Sequence, residues 1–402
     1  MVNLTATYKK SAADTFMKLT AIFLATCLFL ISCSPSGKTG KIAGKELLSD
    51  SAVHNAHVGV CVFDAASSRF LYTYQSDKYF IPASNIKLFT LDAALRYLGD
   101  SITGIEYAHT DSGLWIRPAG DPSFLNPQFP QQPVYLFLQS SSGKKIFLAW
   151  PDRLPERYGN GWMMADMTEG ETLPRSVFPV YGHVPLYQNN EKAYLPLGPD
   201  NGEASAQFLS DTLAAQVLVM PEPKGLSWKE LHSLPTDSLL RSMMLRSDNH
   251  LAEHILLMAA RAKLGIFRED VLIDSILANE WKQMPKSPRW VDGSGASRYN
   301  LATPESMVYL LEAMRKSYGL DRMKKLLPTG GEGTLSKYYL DMAGSIYAKT
   351  GTLSNNQALS GFLITRKGTL LTFSIMVNNY RGPARPIRQK VETMLREIWQ
   401  KI

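Results

Sequence analysis

The chain has 402 residues, 45% hydrophobic and 20% charged, with a formal net charge of +7. That composition fits a globular protein with one large domain or two smaller ones, and it excludes disordered, fibrous and repeat architectures. The positive charges are scattered rather than run together and no nucleic-acid motif occurs, which argues against a nucleic-acid partner.

At the amino end, Met17-Lys18 precedes an apolar run, Leu19–Ile31, and then Ser32-Cys33. A basic flank, a short apolar run and a small residue mark a secretory signal, here 1–32. The run is shorter than the roughly 20 residues a membrane span needs. Leu30-Ile31-Ser32-Cys33 is similar to a bacterial lipobox. That similarity implies a lipid on Cys33 and an exported lipoprotein, anchored to a membrane and facing the periplasm. Residues 33–50 read as a tether, with Ser34–Gly40 flexible. The Lys38-Thr39-Gly40 within it precedes any strand. Cys27 leaves with the signal and Cys33 carries lipid, so Cys61 stands alone. Without an intramolecular disulfide the fold must depend on its core.

The folded part is expected over 51–402. Val58–Asp64 and Arg69–Gln75 read as a hairpin. Pro82-Ala83-Ser84 leads into a helix over Asn85–Leu98, which Gly99 ends. The stretch Thr110–Ala206 is rich in Pro, Gly and aromatic residues and reads as a reduced insertion, too small to fold alone. Helical patterns follow at Thr236–Arg246, His250–Leu264 and Pro304–Tyr318. Ser345–Ala348, Ala358–Thr365 and Leu370–Asn378 read as strands, and Arg388–Ile402 as a basic amphipathic helix. Strands from both ends therefore share an antiparallel sheet flanked by helices, an α+β fold with a helical subdomain.

Three strings fall in order within this frame. Ser84 and Lys87 lie one helical turn apart at a helix start, so they face the same side. A lysine activates a serine only if its proton is disfavoured, by burial or by a second cation. Lys349 is the natural second cation. Ser247-Asp248-Asn249 lies at a helix junction, where a hydroxyl can relay a proton and an amide can hold a peptide group; an N-cap is the plain alternative. Lys349-Thr350-Gly351-Thr352 ends a strand. Gly351 lets a substrate lie along that strand, Lys349, Thr350 and Thr352 suit a terminal carboxylate, and the N–H groups of Ser84 and Thr352 suit an oxyanion. Singly each string is common. In this order and context they form the signature shared by class A β-lactamases and penicillin-binding proteins. Ser141 and Ser142 also stand three residues before lysines, but in a turn that opens no helix. His250 and His254 have a metal-like spacing without a clear third ligand, so neither a metal nor a cofactor is expected.

The resemblance extends further. Gly120-Asp121-Pro122, Gly161-Trp162 with Asp166, Ala252-Glu253, Asp292-Gly293-Ser294-Gly295 with Arg298, Gly333-Thr334-Leu335 and Val377-Asn378-Asn379-Tyr380 all fit one pattern. The chain resembles the class C low-molecular-weight penicillin-binding proteins, serine D-alanyl-D-alanine carboxypeptidases and endopeptidases. This implies a β-lactamase/DD-peptidase-like transpeptidase domain that acts on peptidoglycan stem peptides and is acylated by β-lactams. It implies that Ser84 is the nucleophile and Lys87 its base, and that Ser247 and Asn249 serve proton relay and substrate amide. Lys349, Thr350 and Thr352 would bind the terminal carboxylate. Asp166 and Arg298 would line the pocket for the stem peptide's amino-bearing side chain. Two rivals are a β-lactamase, against which no Glu-x-x-x-Asn stands between Ser247 and Lys349, and a catalytically idle wall-binding lipoprotein, against which the three strings are intact.

Overall fold

The computed structural model describes residues 44–45, 47–164, 174–178, 185–188, 191–194 and 202–402. The expected signal, Cys33 and Asp166 lie outside the described residues.

Strand β1 (His57–Asp64) pairs antiparallel with β12 (Leu370–Asn378), from His57 opposite Asn378 to Asp64 opposite Leu371. Both are buried over most of their length. They read as continuous apolar runs because both faces of the sheet are covered. With β2 (Arg69–Tyr74), β10 (Ile346–Leu353) and β11 (Asn356–Ile364) they form a five-stranded sheet, order β10-β11-β12-β1-β2. All its pairings are antiparallel, as expected of strands drawn from both ends of the chain.

One face packs against helix α9 (Ala384–Lys401), whose Val391, Met394, Leu395 and Ile398 meet Phe373 and Ile375. The other face carries Phe362 and Met376 into a helical layer. At its centre lies α5 (Asn249–Leu264), buried without interruption from His250 to Ala260. A helix apolar nearly all round belongs inside a core. Against it pack α1 (Lys87–Tyr97), α4 (Thr236–Arg246) and α6 (Glu269–Ala278), while α7 (Pro304–Tyr318) lies across β12.

Two local expectations shift. The helix expected from Asn85 opens as a 3-10 turn, Ala83–Ile86, before α1. The strand expected to stop at Ala348 continues to Leu353, because β11 stays paired out to Asn356. Lys349–Thr352 therefore lie inside a strand rather than at its end.

The stretch expected as an insertion, about 110–206, lies within a larger sheet unit. A second five-stranded sheet, order β8-β5-β4-β3-β9, runs from β3 (Ser101–Thr110) to β9 (Lys229–Pro235). Strand β4 (Gly113–Pro118) returns beside β3 after two residues. Strands β5 (Ile146–Leu148) and β8 (Val217–Val219) add in parallel. Helix α2 (Pro133–Ser140) makes the first crossover and α3 (Gly202–Leu213) precedes β8; a β6–β7 ladder pairs Pro185–Gln188 with Glu191–Tyr194. The extent of the second five-stranded sheet escaped the reading because β3 and β9 find each other only in three dimensions, more than a hundred residues apart. Ile105, Leu114, Ile116, Phe124, Leu138 and Leu209 give this unit its own core.

Candidate active site

Three elements converge on Ser84: the 3-10 turn that carries it, the α4–α5 junction and β10. Lys87 Nζ lies 3.0 Å from Ser84 Oγ and donates to Asn249 Oδ1 at 2.6 Å and to the Ser294 carbonyl at 2.7 Å. Lys349 Nζ donates to Ser247 Oγ at 2.7 Å and to its neighbour's carbonyl, Thr350 O, at 2.6 Å. Both lysines are fully buried. Burial, and then the charge of Lys87, hold Lys349 well below the ordinary lysine range. Two ammonium groups so placed disfavour each other, which is the condition a lysine base requires.

The junction is built by backbone geometry. Ser247 closes α4 in the left-handed region, at φ 57°, and Asp248 caps α5 by accepting from the Leu251 N–H at 2.9 Å. A left-handed serine costs about 1 kcal/mol, held here by its surroundings. The cap and the chemistry thus fall to different residues: Asp248 starts the helix while Ser247 and Asn249 face the lysines. Strand β10 is locked to the nucleophile turn by Asn85 Nδ2, which donates to the Lys349 carbonyl at 3.0 Å. Gly351, expected to let a substrate lie along the strand, also makes room for the chain itself. A Cβ there would lie 2.5 Å from the Pro82 carbonyl.

Behind Lys87, the loop 292–295 is a rigid prop. Asp292 accepts from the N–H groups of Gly295 at 2.8 Å and Ser297 at 2.7 Å, from Asn300 at 2.7 Å and from Trp162 Nε1 at 3.0 Å. Gly295 has φ +82°, and a Cβ on it would meet the Ala83 carbonyl at 2.0 Å, so only glycine lets the loop touch the turn that holds Ser84. Glu253 accepts from the Ser294 N–H at 2.8 Å, and the carbonyl of that same residue holds Lys87. Burial, then the nearby Asp292, raise the Glu253 carboxyl, while Arg175 opposes the shift. Arg175 comes from the insertion. It is buried, lies 3.6 Å from Glu253, pairs with Glu269 and stacks its guanidinium over Trp162 at 5.4 Å. No sequence motif marked Arg175; a buried arginine amid acids is visible only once the insertion is docked.

His250 and His254 are buried on α5, and among the described residues no metal-binding cluster occurs. Burial pushes His250 down to about 3. Burial and then His250 hold His254 well below its usual range. An unfolded histidine binds its proton near 6.5. Below that pH the unfolded state binds more protons than the folded one, so the stability these imidazoles contribute is complete above about 6.5 and lost on acidification. Glu253 works the other way, because its folded carboxyl takes up a proton first. We expect His250→Gln to flatten the fall of denaturant stability between about pH 6 and 4.5 by roughly 1 kcal/mol per pH unit. An unchanged slope would mean that the native protein protonates His250.

At the open side, Thr350 Oγ1 donates to Thr334 Oγ1 at 2.9 Å and Thr352 is exposed. Arg298 is held just past the end of β10, with Nη1 donating to Ser354 O at 3.3 Å and Nε lying 3.1 Å from Met163 Sδ. The geometry therefore gathers Ser84, Lys87, Ser247, Asn249 and Lys349 in one cluster, with Thr350 and Thr352 along its edge. Ser141 ends α2, donating to Phe137 O at 3.2 Å, and Lys144 and Lys145 are exposed, so those two matches stand apart from any buried lysine.

A serine beside one buried lysine, with a second lysine on the adjoining strand and an α+β fold around them, defines a serine-type DD-peptidase of the penicillin-binding class. More particularly, the chain belongs to the D-Ala-D-Ala carboxypeptidase 3 (S13) family, whose profile matches residues 41–174 and 214–397. It is a hydrolase, a low-molecular-weight penicillin-binding protein with D-Ala-D-Ala carboxypeptidase activity. It is 24% identical to the D-alanyl-D-alanine carboxypeptidase DacB of Haemophilus influenzae, over 90% of this chain and 94% of that one. It is 25% identical to the D-alanyl-D-alanine carboxypeptidase of an Actinomadura species, over 84% and 80%. Among solved structures, penicillin binding protein 4 of H. influenzae matches with a TM-score of 0.67 at 20% identity, covering 90% of this chain and all of that one. A predatory peptidoglycan endopeptidase of Bdellovibrio bacteriovorus matches at 0.54 and 17%, covering 85% and 93%.

Proposed function

We propose that the chain cleaves the D-Ala-D-centred bond of peptidoglycan stem peptides through an acyl-enzyme on Ser84. The observation that carries this reading is the placement of Lys87. A neutral amine has two N–H bonds and one lone pair. Asn249 Oδ1 and Ser294 O take N–H bonds at 2.6 and 2.7 Å, and a lone pair directed to Ser84 Oγ at 3.0 Å accepts the hydroxyl proton. Ser84 Oγ then bonds to the D-Ala carbonyl carbon, the oxyanion forming near the N–H groups of Ser84 and Thr352. Ser247 passes a proton to the leaving amine, and water releases the acyl group. Asp166 and Arg298 recognise the stem peptide's side chain. β-Lactams follow the same first step and stall on Ser84.

Digestion of purified sacculi, with the muropeptides read by mass spectrometry, tests the reading. Loss of terminal D-Ala and of crosslinks is expected, and slower action on N-acetylated stems would support side-chain recognition. Sacculi returned unaltered would sink the proposal. Sustained nitrocefin turnover would point to a β-lactamase instead.

We further propose that the protein is an exported lipoprotein, held by lipid on Cys33 at a membrane that faces the periplasm. The support is the lipobox-like string after the apolar run. Expressed with its own signal, it should enter the detergent phase, and Cys33→Ala should stay aqueous. Equal partitioning of the two would refute the anchor.

A further inference from the structure

Arg388, on the first turns of α9, is half-buried beside β10 and pairs with no acidic residue among the described ones. Its Nε donates to Gln357 Oε1 at 3.0 Å and its Nη2 to Thr352 Oγ1 at 3.0 Å, both neutral acceptors. Gln357 is itself set in place, its Nε2 donating to Tyr380 Oη at 3.3 Å, which leaves its oxygen turned to Arg388. Glu392, one turn further along α9, is taken by the Tyr339 N–H at 2.8 Å and by Arg396 at 2.9 Å. Arg388, Thr334, Thr350, Thr352 and Gln357 form the polar side of a cavity of about 80 Å³ whose other wall, including Leu359, Ile375 and Val391, is apolar.

A guanidinium held by neutral acceptors, with N–H groups to spare and hydroxyls around it, is arranged for a carboxylate. The need for it comes from Lys349. Burial and Lys87 disfavour the proton of that lysine, so its charge is a poor fixed anchor, whereas a guanidinium keeps its proton at any working pH. We propose that Arg388 is a specificity-determining residue that reads the free α-carboxylate on the leaving side of the scissile bond and discriminates against amidated termini. This rests on the reading of Lys349, Thr350 and Thr352 as the carboxylate edge of the site.

The test uses the full chain and a peptide ending in D-Ala-D-Ala, offered as the free acid and as the carboxamide. Wild type should prefer the acid. Arg388→Gln should lower kcat/KM for the acid by about 10- to 100-fold, chiefly through KM, and for the amide by less than about 3-fold. Arg388→Lys should fall between. The acid-to-amide ratio is read on one enzyme preparation, so partial unfolding cancels. A wild-type ratio retained in Arg388→Gln would overturn the role of Arg388 and leave the carboxylate edge standing. A wild type that ignores the difference would overturn the carboxylate edge and, with it, the inference.

Discussion

Ser84→Ala is expected to abolish covalent labelling by a β-lactam, with intact mass rising by one antibiotic in wild type and by none in the variant. Peptide turnover should fall by on the order of 10⁵-fold or more, as when the nucleophile of a concerted unit is removed. The argument is one of environment. Ser84 Oγ is 3.0 Å from a buried amine, while Ser141 and Ser142 sit at the end of α2 beside exposed lysines. The substitution takes away one oxygen at a partly buried position, so the fold should be retained. Labelling that survives it would place the nucleophile elsewhere.

Lys87→Met is expected to leave Ser84 in place yet slow its acylation. General-base assistance is worth about 10²–10⁴-fold, and that loss should appear in the rate of penicillin labelling and in peptide kcat/KM alike. Methionine nearly fills the lysine's volume, so packing around α1 is kept. The cost falls on Asn249 Oδ1 and the Ser294 carbonyl, which lose a donor at 2.6 and 2.7 Å. Each can weaken the fold by about 1–3 kcal/mol if no other group replaces it. Relief of the charge opposing Lys349 offsets part of this, and the ammonium of Lys349 should become easier to form. Stopped-flow acylation within tenfold of wild type would show that another group takes the proton.

Much of the site was legible because its chemistry is carried by local strings. Ser84 and Lys87 must lie one turn apart, and Ser247 and Asn249 must straddle a cap, so sequence spacing suffices. The sheet was legible because strands buried on both faces, such as β1 and β12, are unbroken apolar runs. What escaped notice depends on contacts between distant segments. A second demand on Gly351 was hidden because the neighbour that sets it, the Pro82 carbonyl, lies far back in the chain. The extent of the second sheet was not legible because β3 and β9 close it across the whole intervening stretch. Arg175 and Arg388 belong to no motif; each acquires its partners only when a separate element docks, the insertion for one and the last helix for the other.

The strand order β10-β11-β12-β1-β2 also sets a timetable. A ribosome delivers β1, β2 and Ser84 long before β12, and β1 then waits with an open edge until β12 arrives to cover it. A two-stranded ribbon alone is marginal in water, and pairings this distant in sequence close slowly. Lys349 is held in that same late segment, one strand before the last but one. A nascent chain therefore carries its nucleophile well before the strand that bears Lys349, and the groove that would let it cut cannot close until β10, β11 and β12 have joined β1.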